Sequence, residues 1–310
     1  MLVLNTLAPV FLLIGIGALL QRSGFVSAGF LKEANRLTYW LGLPALLFSQ
    51  LASSFHGVGG AKLMLGTMAV ATMLAIGAGY AAAWALRVRA AAVGTFVQGA
   101  FRGNLAFIGL PVIFAMPDAP LAGGMSARSA TAVVVGVMMV AYNFVAIVVL
   151  LLSQHEPGWG MVRPFARQLL TTPPLIATLA GIGFAMAGWT LPAAVDKTFA
   201  ALGEMALPLG LLGVGGAIMA VERESVGRSA WGAALVKTSV SPALGWAAGR
   251  ALGLGAAELK IVMILLATPT AVISYAVAIE LKGDEALAAG SIVLSVLASM
   301  ATLAAVVGFF

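Results

Sequence analysis

Ten apolar segments, each long enough to cross a bilayer, follow one another along the chain with little between them. Charges and Gly/Pro clusters delimit them at about 2–21, 32–54, 62–86, 91–116, 125–152, 173–190, 196–219, 227–252, 258–281 and 286–309. A helix needs about 20 apolar residues to span the hydrocarbon core. The 310 residues divided by ten give 31 per segment, one span and a short connection. Apolar residues make up 61% of the chain and charged ones 9%, with a mean hydropathy of +1.05. A soluble domain of this size cannot bury that much apolar surface. The expected fold class is an all-α polytopic membrane protein embedded in a lipid bilayer, and no stretch is long and polar enough for a soluble domain.

Charge and special residues narrow the functions. The net charge is +6, but the 17 Lys and Arg are scattered, which fits loop charges that orient a membrane protein rather than a nucleic-acid patch. The odd-numbered connections hold Arg22, Lys32, Arg36, Arg87, Arg89, Arg163, Arg167, Arg223, Arg228 and Lys282. The even-numbered ones hold only Lys62, Arg128, Lys197, Arg250 and Lys260. This ten-to-five bias predicts odd connections in the cytoplasm and both termini on the opposite, periplasmic side. The first segment has no basic leader before it and reads straight into a span. With no cysteine, disulfides, thiolate metal sites and cysteine nucleophiles are excluded. His56 and His155 fall in separate connections, so neither a metal nor another cofactor is expected.

The two halves echo each other. Gly15-Ile16-Gly17 returns as Gly181-Ile182-Gly183, Leu43-Pro44 as Leu207-Pro208, and Gly103-Asn104 stands opposite Pro269-Thr270, at offsets of 166, 164 and 166. The matches fall on the same ordinal segments. The reading is a five-helix repeat over 1–152, a cytoplasmic connection over 153–172 and a second repeat over 173–310. Because five is odd, the second copy must insert inverted, a pattern found in secondary transporters.

Segments four and nine read as broken. The fourth contains Arg102, Gly103, Asn104, Gly109 and Pro111; the ninth contains Pro269 between Thr268 and Thr270. A break at mid-depth exposes backbone groups that lipid cannot satisfy, so it persists only where protein or a water-filled cavity covers it. The second half-helix beyond each break presents free N–H groups and a positive dipole end, which suits an anion. Asn104 and Thr270 are placed to cap those half-helices or to turn toward a substrate oxygen. The alternative is that Gly and Pro merely kink two packed helices.

These runs carry a resemblance. Arg102-Gly103-Asn104-Leu105-Ala106-Phe107-Ile108-Gly109-Leu110-Pro111 resembles the fourth-helix signature of the auxin efflux carrier family. Thr268-Pro269-Thr270-Ala271-Val272 with Ala278-Ile279-Glu280 resembles the ninth, and Pro44-Ala45-Leu46-Leu47-Phe48 the second. The short middle connection resembles the bacterial, malonate-transporter-like branch. The resemblance implies that helices four and nine cross within a mobile transport domain of helices 3–5 and 8–10. Helices 1, 2, 6 and 7 would form the scaffold of a homodimer that works as an elevator for organic anions, often carboxylates, in the inner membrane. Gly103 departs from the proline common at the first crossover of plant members.

Several side chains are candidates for substrate contact: Arg102, Gly103 and Asn104 at the first break, Thr268, Pro269 and Thr270 at the second, and Ser274 one turn further on. Arg102, a cation inside a span, is the sharpest of these; it could balance a carboxylate or snorkel to the cytoplasmic face. Lys237 falls about 16 Å into the eighth segment, and Glu204 in the seventh is its candidate partner, as an ion pair or a titrating couple. Tyr142-Asn143 and the face formed by Ser291, Ser295 and Ser299 either line the pathway or pack helices, with packing favoured. Gly245, Gly249 and Gly253 form a small-residue stripe explained by helix packing. Phe107 and Phe114 read as apolar contacts before cavity walls.

Three functions compete. A secondary transporter for a small organic anion fits best. An intramembrane enzyme lacks His-Glu-x-x-His, Gly-x-Ser-x-Gly, paired aspartates and cysteine, so no catalysis is expected. A sodium-coupled symporter of the bile-acid-type fold needs a denser polar cluster than Asn104, Thr268, Thr270 and Ser274 provide. Coupling to protons or sodium is left open by these residues, as is uniport.

Overall fold

The computed structural model describes residues 2–54, 61–121, 124–154, 173–219 and 227–309. His56, His155 and nearly all of the 153–172 connection lie outside them. Among the described residues the chain is helical, with two isolated antiparallel bridges in place of any strand. In chain order the helices are α1 (Leu2–Arg22), α2 (Ala28–Leu37), α3 (Leu43–Ser54), α4 (Lys62–Ala85), α5 (Ala90–Phe101), α6 (Leu110–Phe114) and α7 (Ala127–Gln154). After the middle connection come α8 (Pro173–Met186), α9 (Ala193–Met219), α10 (Arg228–Leu235), α11 (Ser241–Ala251), α12 (Ala256–Ala267), α13 (Ile273–Glu280) and α14 (Glu285–Phe309). Among the described residues, Lys62–Ala85, Ala127–Ser153, Ala193–Gly216 and Glu285–Phe309 are long and apolar enough to cross a membrane. Large apolar side chains such as Leu12, Met73, Trp84, Ile176 and Leu297 stand exposed on helices, a cost in water that a lipid environment removes. The chain is a multi-pass membrane protein.

Among the described residues three wide π-helical turns interrupt the helices, at Thr38–Gly42, Leu105–Gly109 and Val236–Val240. Each ends two residues before a proline: Gly42 before Pro44, Gly109 before Pro111, Val240 before Pro242. Proline donates no N–H, and its ring crowds the carbonyl four residues back. A widened turn swings that carbonyl aside, and the Leu43 and Ser241 N–H groups then reach five residues back to Thr38 O and Val236 O. Pro208 stays inside an unbroken helix, so the Leu-Pro echo between the halves does not extend to local geometry.

The chain folds into two compact units. The first holds Met1–Leu65, Ala106–Val140 and Gln168–Ala220; the second holds Gly66–Leu105, Ala141–Arg167 and Val221–Phe310. In the first, α1 packs on α9 and α3 on both α8 and α9. Backbones touch there: a Cβ on Gly17 would collide with Leu212 O, and one on Gly215 with Ile14 O. Small residues let membrane helices approach so closely. Phe48 adds edge-on contacts with Phe184 and Phe199, ring centres 5.6 and 5.3 Å apart.

The second unit has an alanine-rich core, in which Phe96 is buried among Ala83, Ala92, Ala230, Ala233, Ala234, Leu287 and Leu294. Gly245 and Gly249 abut Leu266 and Leu259 of α12, as a packing stripe should. Gly253 leaves that stripe: at φ +74° it is the left-handed residue that ends α11, a conformation glycine adopts without strain. Thr95 accepts from the Asp284 N–H at 3.0 Å, and Arg89 pairs with Asp284 at 2.9 Å, tying the start of α5 to the turn before α14.

Candidate functional site

Helices α5 and α12 both stop short, and the segments after them meet. Gly103 and Thr270 form an antiparallel bridge. Asn104 N–H donates to Pro269 O at 2.8 Å, and Ala271 N–H donates to Arg102 O at 2.9 Å. Each break thus satisfies backbone groups that the other exposes, which is how a mid-helix interruption survives in a bilayer. The whole arrangement lies within the second unit.

Glycine at 103 follows from crowding. A Cβ there would stand 2.6 Å from Thr268 Oγ1 and 3.1 Å from Lys237 Cε. A side chain would push the two breaks apart, so the position needs the absence of one rather than a special dihedral angle.

The hydroxyls of the second break serve helix ends. Thr268 Oγ1 donates to Leu265 O at 2.6 Å, and Thr270 Oγ1 donates to Gly99 O at 2.7 Å. Both carbonyls belong to last turns, where the regular helical N–H donors run out; Leu265 O also takes a long bond from the Thr268 N–H, at 3.4 Å. Thr270 therefore closes the end of α5 and does not cap α13, which begins only at Ile273. A hydroxyl has a single proton; with both protons committed to carbonyls, Thr268 and Thr270 can only accept from a ligand. That suits a donor, not an anion.

The donors stand elsewhere. Arg102, 2% exposed, ends α5, and its Nη2 donates to Asn143 Oδ1 on α7. It therefore lies inside the protein, and the snorkelling alternative falls away. Asn104 and Ser274 are also buried, and Ser274 Oγ has no hydrogen-bond partner among the described residues. Lys237, fully buried in the π-turn before Pro242, donates from Nζ to Leu266 O on the last turn of α12. Glu204, its expected partner, lies in the first unit with an exposed side chain.

Side chains bring further positive charge to the crossover. The hydrogen bonds to Gly99 O, Leu265 O and Leu266 O mark the carbonyl ends of α5 and α12, each worth about half a negative charge. Arg102 and Lys237 add two full positive ones. Among described side chains the one buried acid is Glu258, in the first turn of α12, about 12 Å along the helix from Leu266.

One participant, Gln98, escapes the sequence reading, and another, Ser295, does more than the packing favoured for it there. Gln98, 1% exposed and one turn before Arg102, donates from Nε2 to Ser274 O at 3.1 Å; an amide four residues ahead of a break was the available signal. Ser295 Oγ accepts from the Thr270 N–H at 2.9 Å, so one member of the serine face holds the second break. Ser291 and Ser299 bond carbonyls of their own helix. Tyr142 sits edge-on to Phe101, ring centres 5.7 Å apart. In the first unit Phe107 fills the space over Gly210, and Phe114 stacks beneath Arg128.

No curated protein matches the chain. A family model described as membrane transport protein matches residues 2–158 and 153–307. The matches run through both breaks and through the Arg102–Pro111 and Thr268–Val272 runs that form them; the chain belongs to this family of membrane transporters, the auxin efflux carriers.

Proposed function

We propose that the chain is a secondary transporter, not an enzyme, that moves a small organic anion, a carboxylate, across the bacterial inner membrane. The observation that supports this most is Arg102: a guanidinium buried at the point where two interrupted helices bond through their backbones. A buried cation in a membrane protein is costly to keep, and a carboxylate is its natural two-pronged partner. Asn104 and Ser274 would add polar contacts. Gly103, Pro269, Thr268 and Thr270 would shape the break that receives the substrate. Lys237 and Glu204 are the charge candidates, and proton or sodium coupling would act on groups such as these.

The same reading has ten spans in two inverted five-helix repeats, with both termini periplasmic. Helices 3–5 and 8–10 would form the moving part of an elevator, helices 1, 2, 6 and 7 its scaffold, in a homodimer. The second unit supports part of this partition, since it gathers α5, α10 to α14, most of α4 and the latter half of α7, while α6 and the first half of α7 fall in the first unit.

Counterflow in proteoliposomes tests the function. Vesicles loaded with acetate, propionate, malonate or succinate should accumulate the matching labelled anion from outside, saturably and unmodified. Gradients of protons and of sodium, imposed separately, identify the driving ion. Failure of every carboxylate to exchange would refute the proposal.

A further inference from the structure

Lys237 has no obvious place in a substrate contact list, yet it is the most deeply enclosed charge in the second unit. Its side chain is fully buried, its Cε lies against Gly103, and its ammonium reaches the last turn of α12. A proline-induced π-turn aims it there, and such turns concentrate at functional positions. Burying a lone ammonium costs several kcal/mol, and replacing buried charge by an apolar side chain of similar volume is often neutral or stabilising. A residue kept under those conditions has a role other than stability.

The charges around it suggest which. The carbonyl end of α12, whose Leu266 O accepts from the ammonium, carries about half a negative charge. An incoming carboxylate would be repelled by it. One ammonium beside Gly103 more than offsets it.

We infer that Lys237 is a positioning residue of the crossover: a tethered cation that offsets the carbonyl end of α12 and leaves the charge of Arg102 for the transported anion. The inference rests on the crossover being the substrate site. The ammonium has three donors, one of them on Leu266 O. Removing the cation weakens anion binding without loosening the fold.

The full-length chain in nanodiscs and proteoliposomes tests this, with malonate and propionate as probes. Lys237→Met, similar in volume and uncharged, should raise KM for either probe about tenfold or more, the order expected for losing an interaction with a charged group. Its kcat should stay within a few-fold, and its thermal midpoint should equal or exceed that of the native chain. Lys237→Ala should regain uptake with propylammonium, which supplies the missing three carbons and the charge, and not with sodium chloride at equal ionic strength. Lys237→Arg should retain part of the native affinity.

A native KM in Lys237→Met, or a thermal midpoint that falls in step with uptake, overturns the inference. So does equal rescue of Lys237→Ala by sodium chloride. If the native chain moves neither probe, the substrate reading fails instead, and the thermal midpoint of Lys237→Met still decides: a fall marks a merely structural lysine.

Discussion

The two breaks are partners in one bridge but are built from different materials. The first is Arg-Gly-Asn, with a bare backbone at its centre and charged or amide side chains on either side. The second is Thr-Pro-Thr, in which proline stops the helix and both hydroxyls are turned onto carbonyl ends. One break carries the polar chemistry and the other holds the geometry. Two interrupted helices need not share a job evenly even when they meet residue for residue, and the asymmetry can be broken experimentally one break at a time.

The largest effect should come from Arg102→Gln. Losing the one cation of the first break should lower carboxylate kcat/KM roughly ten- to a hundredfold, measured by counterflow. Native uptake in this variant would remove the first break's claim to the chemistry.

Gly103→Ala tests the close approach. The added Cβ meets Thr268 Oγ1 at 2.6 Å, an overpacking expected to cost about 1–3 kcal/mol. In a double-mutant cycle with Thr268→Ala, which removes the obstructing oxygen, the pair should be less damaging than the sum of the singles by about 0.5 kcal/mol or more. Additive losses in thermal stability would mean that the two breaks are not in contact at that point.

Thr270→Val should be milder. It deletes the bond to Gly99 O and should cost about 1 kcal/mol, seen as a lower thermal midpoint with substrate KM unchanged. A raised KM would move the second break into the binding site. The smallest change is Ser295→Ala, where the Thr270 N–H loses its acceptor in a site that can still relax. A fall in thermal midpoint equal to or smaller than that of Thr270→Val is expected.

Much of this was legible in the sequence, because Gly and Pro act locally. Gly103 and Pro269 marked where α5 and α12 end, and the helices begin and stop within a few residues of the apolar segments. The direction of side chains was less accessible. Nothing local says that the Thr270 hydroxyl turns to α5 rather than α13, since its partner lies on the other broken helix. The π-turns were hidden for a related reason: a proline signals a disturbed helix, but whether the helix widens, as before Pro242, or stays whole, as at Pro208, depends on its neighbours. Gln98 was passed over, and Ser295 was read first as packing, because single polar residues on apolar helices usually pack, and only the broken segments give these two something to hold. All three serines of the α14 face bond carbonyls of their own helix, and Ser295 in addition accepts from the break.

The bridge also sets a clock. Thr270 and Gly99 are 171 residues apart, and a ribosome adds about 5–20 residues per second, so the first break waits about ten to thirty seconds for its partner. Through that interval Gly99 O and the Asn104 N–H lack the groups that later satisfy them, and the first half is already passing into the bilayer. Synthesis that stalls before Thr268 would leave that end open inside the membrane.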